Sequence, residues 1–305
     1  MKIIEPSSEM LDRTGMSISQ KIEAFGRVSY QSQHKIEPGS DLPFLSKVIN
    51  VRHMSVLEGA CVHLRVNEWS TYISHFIANH DTRFFNISHF HGGMIISGTV
   101  RAFMERLRPH AGVPRDIAGM LYEEYPDVFP MFSGCPRVNK DIEIYTPKQV
   151  TDTTSEWRKH LMVAVRFIIS RDTSHELVRH RPGSMLQESQ RYCGYDGDKF
   201  GGEVKFIRPI FFEENTQAFT TWKNAMALAE SAYLNLRSFH SPQAARKVLP
   251  NSTATEIVYY TNLEHWRHIW ALRTSSTADP SIIQVMRPLR DRYENDPASV
   301  VAIAE

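Results

Sequence analysis

Six apolar residues in the C-terminal third of the chain, Phe219, Trp222, Met226, Ala229, Tyr233 and Leu236, recur at steps of 3, 4, 3, 4 and 3. That spacing places all six on one face of a helix and predicts a long helix over about 216–238 with a core to cover. No strand has that period, so at least this third of the chain folds around a helix. The segments beside it have another rhythm. Val163, Val165, Phe167 and Ile169 alternate along 160–169, and the run from Glu256 to Thr261 is β-branched and aromatic, so both are predicted strands. Residues 2–5 and 60–66, the latter with Cys61, Leu64 and Val66, are predicted strands as well. Ile18, Ile22 and Phe25 have helical spacing and predict a helix over about 17–31. Ser241-Pro242 opens a short helix that must stop before Pro250, and Asn262 starts one that runs to about Arg273. Strands and helices are mixed without regular βαβ alternation, which predicts an α+β fold with a mixed or antiparallel sheet and long helices.

Residues 67–158 are the least legible. They carry histidines, aromatics and Pro109, Pro114, Pro126, Pro130 and Pro136; 98–107 and 115–125 are candidate helices and the remainder reads as loops.

Composition excludes several function classes. The 305 residues have a formal net charge of +1, so no global field favours nucleic acid or an anionic membrane. No apolar run reaches membrane-spanning length, and the N-terminus lacks the long apolar stretch of a signal peptide. Cys61, Cys135 and Cys193 form no CxxC pair and no metal-ligand spacing, so no metal is expected and the setting reads as reducing and cytoplasmic.

The chemistry concentrates in 174–195, SHELVRHRPGSMLQESQRYCGY. Arg179, His180, Arg181 and Arg191 stand with the hydroxyls of Ser184, Ser189 and Tyr192, and Glu188 is the only acid from 179 to 192. Guanidinium groups match phosphate oxygens bidentately, so the segment is a candidate phosphate site; a solvated basic face has the same composition. His175 and His180 stand five apart, not the four that a zinc-protease helix requires. Cys193 is either a thiolate nucleophile favoured by nearby arginines or a buried packing residue. No GxGxxG follows a strand, so a dinucleotide would not sit in a Rossmann crevice.

Arg179-His180-Arg181, Ser184, Ser189, Arg191 and Tyr192 match the RHRxxS…SxRY signature, and here the chain resembles the flavin-dependent thymidylate synthases, the ThyX family. VRFII, DKFGGEVKFI, ARKVLPNS, TNLEHWRH and ALRTS extend the resemblance over about 160–290, and GRVSY and HMSVLE add to it near the N-terminus. The resemblance implies one ThyX-like catalytic domain over 1–305 with an insertion at 67–158. It implies FAD contacts at Ser29, Ser55, Arg179, His180, Arg181, Asn262 and His268. It implies a dUMP site at Glu176, Arg179, Gln187, Glu188, Ser189, Gln190, Arg191, Arg246 and Arg273, with Arg273, Ser189 and His53 as the catalytic candidates. The implied reaction converts dUMP to dTMP with methylenetetrahydrofolate and NADPH as co-substrates, in a homotetramer with shared active sites. Two departures keep a hydroxymethylating relative and a silent nucleotide-binding relative open. The chain has Leu57-Glu58-Gly59 where the family usually continues LEH, and Met54 where it often has Glu.

Overall fold

The computed structural model describes residues 1–67, 84–107, 113–137, 142–197 and 201–303. Its strands are β1 (Lys2–Ile4), β2 (Ser7–Met10), β3 (Cys61–Asn67), β4 (Phe85–Phe90), β5 (Gly93–Thr99), β6 (Ile142–Tyr145), β7 (Met162–Ser170), β8 (Ser184–Gln187), β9 (Lys205–Ile207) and β10 (Ala254–Asn262). Its α-helices are α1 (Ile18–Val28), α2 (Asp41–Asn50), α3 (Val100–Arg106), α4 (Val113–Glu124), α5 (Pro147–Thr153), α6 (Arg171–Leu177), α7 (Gln217–Arg237), α8 (Pro242–Ala245), α9 (Leu263–Arg273), α10 (Pro280–Asn295) and α11 (Pro297–Ala302). The fold is α+β, with two four-stranded antiparallel sheets and one parallel pair, β1 with β9.

The first sheet, ordered β2-β7-β10-β8, carries the site. β7 and β10 pair over their whole lengths, from Ala254 opposite Ser170 to Asn262 opposite Met162. One face, with Val163, Val165, Phe167, Ile257 and Tyr259, packs on Trp266 and Trp270 of α9 and on Ile282 and Met286 of α10. The other face, with Ala164, Val258 and Tyr260, packs on Phe25 and Val28 of α1. A strand covered on both faces needs apolar residues at successive positions, and β10 has them. Burying each of these large side chains stabilises the fold by roughly 1.5–3 kcal/mol. Trp266 also donates its indole N–H to Val163 O at 3.0 Å, so the centre of this core leaves no polar cost at that ring.

α7 confirms the apolar stripe: Phe219, Trp222, Met226 and Tyr233 are buried against Tyr195, Val204 and Phe206. Thr216 caps it by accepting from Phe219 N, and Asn262 caps α9 by accepting from His265 N. Ser17 closes a capping box with Gln20 at the start of α1.

The reading of 67–158 as loops around two helices is corrected. The second sheet, ordered β4-β5-β3-β6, is built from this segment and β3. Met94 and Ile96 of β5 pack into one core cluster and Ile95 packs on the other side with Tyr145 and Val150, so Met94-Ile95-Ile96 is buried without alternation and gives no period-2 signal. The candidate helices at 98–107 and 115–125 are α3 and α4. Ile96, Phe103, Ile117 and Ile142 share one core with Ile22, Leu45 and Leu57 from the N-terminal helices and turn. Residues 68–83, 108–112 and 138–141 of the segment, Pro109 among them, lie outside the described residues.

Candidate functional site

β7 ends at Ser170, α6 follows at once, and the chain then turns through Arg179-His180-Arg181 into β8. The turn is pinned from β10. Tyr259 donates its hydroxyl to His180 O at 2.8 Å, and Thr261 donates to Pro182 O at 2.5 Å. Gly183 lies flat against Tyr259: a Cβ there would sit 2.4 Å from the phenol oxygen. The glycine is needed for close approach, and β10 fixes the backbone on either side of it.

The pinned turn meets the C-terminal end of α9. Arg273 Nη1 donates to Glu176 Oε2 at 2.6 Å, Nη2 to Glu176 O at 3.1 Å, and Nε to His180 Nε2 at 2.9 Å. A guanidinium can only donate, so His180 Nε2 is an acceptor and the ring is neutral with its proton on Nδ1. Burial, then the Arg273, His265, His268 and Arg179 charges, push His180 down to about 4, which agrees with that tautomer. Burial also raises the Glu176 carboxyl, and Arg273 opposes the shift. Arg273 uses three of its five N–H groups in these bonds, so one N–H on each terminal nitrogen is available to a ligand. Thus Glu176, His180 and Arg273 are in contact, and Arg179 and His268 stand close enough to act on His180 electrostatically.

Arg181 and Asn262 fall elsewhere, on a cleft of about 320 Å³ that also includes Gly183, Ser184 and Thr261. Asn262 accepts from His265 N with its carbonyl oxygen at 2.8 Å, so its amide N–H groups are left for the cleft.

A third group forms where the SxRY segment meets α1. Ser189 N donates to Ser29 O at 3.0 Å, and Arg191 N donates to Ser189 Oγ at 3.3 Å. Tyr192 packs on Tyr30, with ring centroids 5.7 Å apart, and the Tyr30 hydroxyl lies 3.3 Å from His53 Nδ1. His53, Tyr30 and Tyr192 border a cavity of about 1180 Å³, together with Phe44, Arg27 and Lys47. Ser55 is exposed in the turn that follows His53. Arg191 Nε donates to Gln243 of α8 at 3.2 Å, and Arg246 opens the 3-10 turn that continues α8.

Two other candidates face inward. Gln187 Nε2 donates to Ser174 Oγ at 2.9 Å and Thr255 Oγ1 at 3.2 Å. Glu188 is buried and accepts from the Tyr195 hydroxyl at 2.6 Å; burial raises its pKa. Gln190 lies beside the same tyrosine. Tyr195, Tyr30 and His265 are site neighbours the sequence reading missed. His265 has a sequence signal, since with His268 it forms an i, i+3 pair on the helix that ends in Arg273.

The family model described as "Thymidylate synthase complementing protein" matches residues 142–295, half of the chain. The chain belongs to this family, the ThyX family. The matched stretch holds β6 to α10, and so every residue of the Glu176–His180–Arg273 group. It begins inside 67–158, so β6 and α5 belong to the family text.

Similar proteins are flavin-dependent thymidylate synthases. That of Corynebacterium glutamicum is 36% identical over 133 residues, 38% of this chain and 51% of the relative. That of Mycobacterium tuberculosis is 39% identical over 124 residues, 37% and 50% of the two chains. That of Mycobacteroides abscessus is 34% identical over 143 residues, 40% and 55%. The chain spans about half the length of the curated relatives it matches.

One departure from ThyX text has a physical reason. A Cβ on Gly59 would lie 2.5 Å from Phe25 Cβ, so the histidine usual at this position has no room. Gly59 O also accepts from buried Arg13 at 2.6 Å, which fixes the turn. Gly59→Ala is expected to destabilise the fold by about 1–3 kcal/mol through overpacking, read as a lower urea midpoint. An unchanged midpoint would mean that α1 shifts aside freely.

Proposed function

We propose that this chain acts as an FAD-dependent thymidylate synthase, converting dUMP to dTMP with methylenetetrahydrofolate as carbon donor and NADPH as reductant. The observation that carries the reading is the Arg273–His180–Glu176 group, which joins the signature turn to the end of α9 and leaves guanidinium N–H groups unused.

The residues fit a flavin dinucleotide. Arg179 and Arg181 are exposed and make no ion pair among the described residues, and His265 Nε2 is buried without a hydrogen-bond partner. Guanidiniums, the His180 Nδ1–H and the Asn262 amide form a donor set suited to pyrophosphate and to a ring edge rich in acceptors. When bound, the flavin supplies the hydride and relays the one-carbon unit. The protein's own work is electrostatic. Arg273 faces the pyrimidine and stabilises negative charge at N3 and the adjoining carbonyl as C5 is activated. Neutral His180 holds that guanidinium in plane, and Glu176 fixes its other edge. Ser189 accepts from Arg191 N, which leaves its hydroxyl proton to donate to dUMP, with Arg191 and Arg246 as phosphate partners. The cavity beside His53, with its tyrosines, Phe44, Arg27 and Lys47, suits a pterin ring and an anionic glutamyl tail. Ser29 is buried and donates its hydroxyl to Gly26 O at 2.9 Å, whereas Ser55 is exposed.

Active sites completed between copies in a homotetramer belong to the same reading. No described helix is long and apolar enough to cross a membrane, and a cytoplasmic place suits a pathway that uses dUMP and folate.

The test is product analysis with dUMP, methylenetetrahydrofolate, FAD and NADPH. dTMP is expected. A hydroxymethylated nucleotide would favour the second reading, for which Gly59 at the His53 side of the site is the motive. Absence of any product together with no flavin retention would overturn both.

Cys193 is 3% exposed, and its Sγ lies 3.9 Å from Ser29 O, inside the turn that seats Ser189. Thymidylate synthases without flavin attack the ring with a thiolate, but a thiol this enclosed packs. Cys193→Ser is expected to keep turnover within about tenfold of wild type, since the near-isosteric change removes only nucleophilicity. Intact-mass analysis should find no covalent dUMP adduct; an adduct at Cys193 would reverse the assignment.

A further inference from the structure

The cleft that holds Arg181 and Asn262 has a second wall, and that wall comes from outside the family-matched stretch. It is made by α3 and the start of β4, with Arg101 and Arg106 both bordering the space. α3 is set firmly. Thr99 caps it by accepting from Ala102 N, and Phe103 is fully buried in the core shared by the second sheet and the N-terminal helices. Arg101 is already satisfied: it donates to Glu58 at 2.6 Å and to Glu105 at 2.9 Å.

Arg106 differs. Its guanidinium lies 4.3 Å from the Phe84 ring centroid, which orients the planar fork, and it makes no ion pair among the described residues. Arg181 faces the same cleft and has no ion pair either. Three guanidiniums and two carboxylates, Glu58 and Glu105, border the space, and Arg101 neutralises much of both acids. Among the described residues, Arg106 and Arg181 are therefore the two guanidiniums on this cleft without an ion pair, one from each wall. Such a pair is best satisfied by an anion between them, and guanidinium forks favour phosphate oxygens.

We propose that Arg106 is a ligand for the pyrophosphate of the flavin dinucleotide, clamping it against Arg181 and Asn262. This rests on the FAD reading given under Proposed function and extends it to a segment that the family match does not reach. In this view the second sheet does more than thicken the core: it delivers α3 to the cofactor cleft.

The test uses the full chain with Arg106→Ala and Arg106→Lys, and measures affinity by flavin-fluorescence titration with FAD and with riboflavin, which lacks phosphate. Removing a charge-assisted phosphate contact should raise the FAD Kd by about tenfold or more in Arg106→Ala. Arg106→Lys should recover part of that loss, and riboflavin affinity should not change. An FAD Kd within about twofold of wild type in Arg106→Ala, or an equal loss for riboflavin, would overturn the clamp and leave the FAD reading standing. Wild-type protein that binds no FAD would overturn both.

Discussion

Arg273→Ala is expected to lower turnover by about 100- to 1000-fold while leaving FAD affinity within about threefold, the scale of removing one preorganised donor aimed at a developing anion. The guanidinium sits at the last residue of α9, bound on one edge by Glu176 and on another by His180 Nε2. Both partners hold it still, so on the proposed reading its remaining N–H groups need no reorganisation as charge builds on the pyrimidine. Arg273→Lys should recover little. An ammonium is a point charge and cannot span the carboxylate and the imidazole in one plane. A second readout separates this role from a structural one. Burial is the main cause of the low basicity of His180, and the Arg273 charge is the next. In Arg273→Ala the His180 pKa should rise from about 4 yet stay below the ordinary histidine value, seen by following the imidazole C–H resonances against pH. Stability should change little, because the Arg273–Glu176 pair is partly solvated, with side chains 18% and 27% exposed. Wild-type turnover in Arg273→Ala would leave the residue a structural role alone.

How much of this was legible in the sequence follows from where the physical signal is local. The stripe on α7, the helix start after Ser241 and the cap at Asn262 are local, and all three stand in the fold, although the Ser241 side chain makes no capping bond. β7 was legible because Val163, Val165, Phe167 and Ile169 alternate, and β10 because β-branched and aromatic residues follow one another from Ile257 to Thr261. α2 and α10 went unread because proline hides them: Pro43 stands in the first turn of α2, and Pro288 lies inside α10, where the apolar face with Ile282, Val285 and Leu289 holds the helix together. β5 was lost because burial on both faces removes alternation. The same division holds at the site. The RHR motif announces its cations, but nothing in the sequence shows that Arg106 and Arg181 border one cleft, because that meeting depends on a sheet in which β3 pairs with residues 26–38 positions away on β5 and 76–82 positions away on β6. Nor does the sequence show why a glycine stands at 183; in the fold it is a contact surface for Tyr259.

Acid should weaken the fold well before carboxylate titration begins, and the reason is a buried relay between the two sheets. His63 on β3 and His160, just before β7, each place Nδ1 against the Ser97 hydroxyl of β5, at 2.7 and 2.8 Å. All three side chains are buried. A hydroxyl has one proton, so it donates to one ring and accepts from the other. His160 Nε2 has no partner among the described residues, and an unpaired acceptor costs less than an unpaired donor, so His160 carries its proton on Nδ1 and His63 accepts on its own Nδ1. Adding a proton to His63 Nδ1 removes the acceptor that Ser97 uses, and adding one to His160 Nε2 buries an orphan N–H. Burial pushes His63 down to about 3, with His160 and Lys21 adding to the shift. Burial pushes His160 down to about 4, with Glu156 opposing and Lys159 assisting. Both folded-state values lie below the unfolded one, so the unfolded chain takes up the protons first. The stability these rings confer is complete above about pH 6.5 and is lost as pH falls toward their folded values, at up to about 1.4 kcal/mol per pH unit for each ring. Because the rings share one hydroxyl they titrate as a pair, and a loss of about 2–4 kcal/mol between pH 7 and pH 5 is expected. His180 acts in the same sense, whereas Glu188, raised by burial, acts in the opposite one, its stability lost as pH rises through its folded value. Urea midpoints at pH 7, 6 and 5 measure the effect. His63→Asn and His160→Asn keep a polar atom near the Nδ1 position and cannot take up the proton, so together they should lower stability at pH 7 but flatten its slope toward acid. An equal slope in wild type and the double variant would show that acid sensitivity lies elsewhere, and that the second sheet is held to β7 by packing alone.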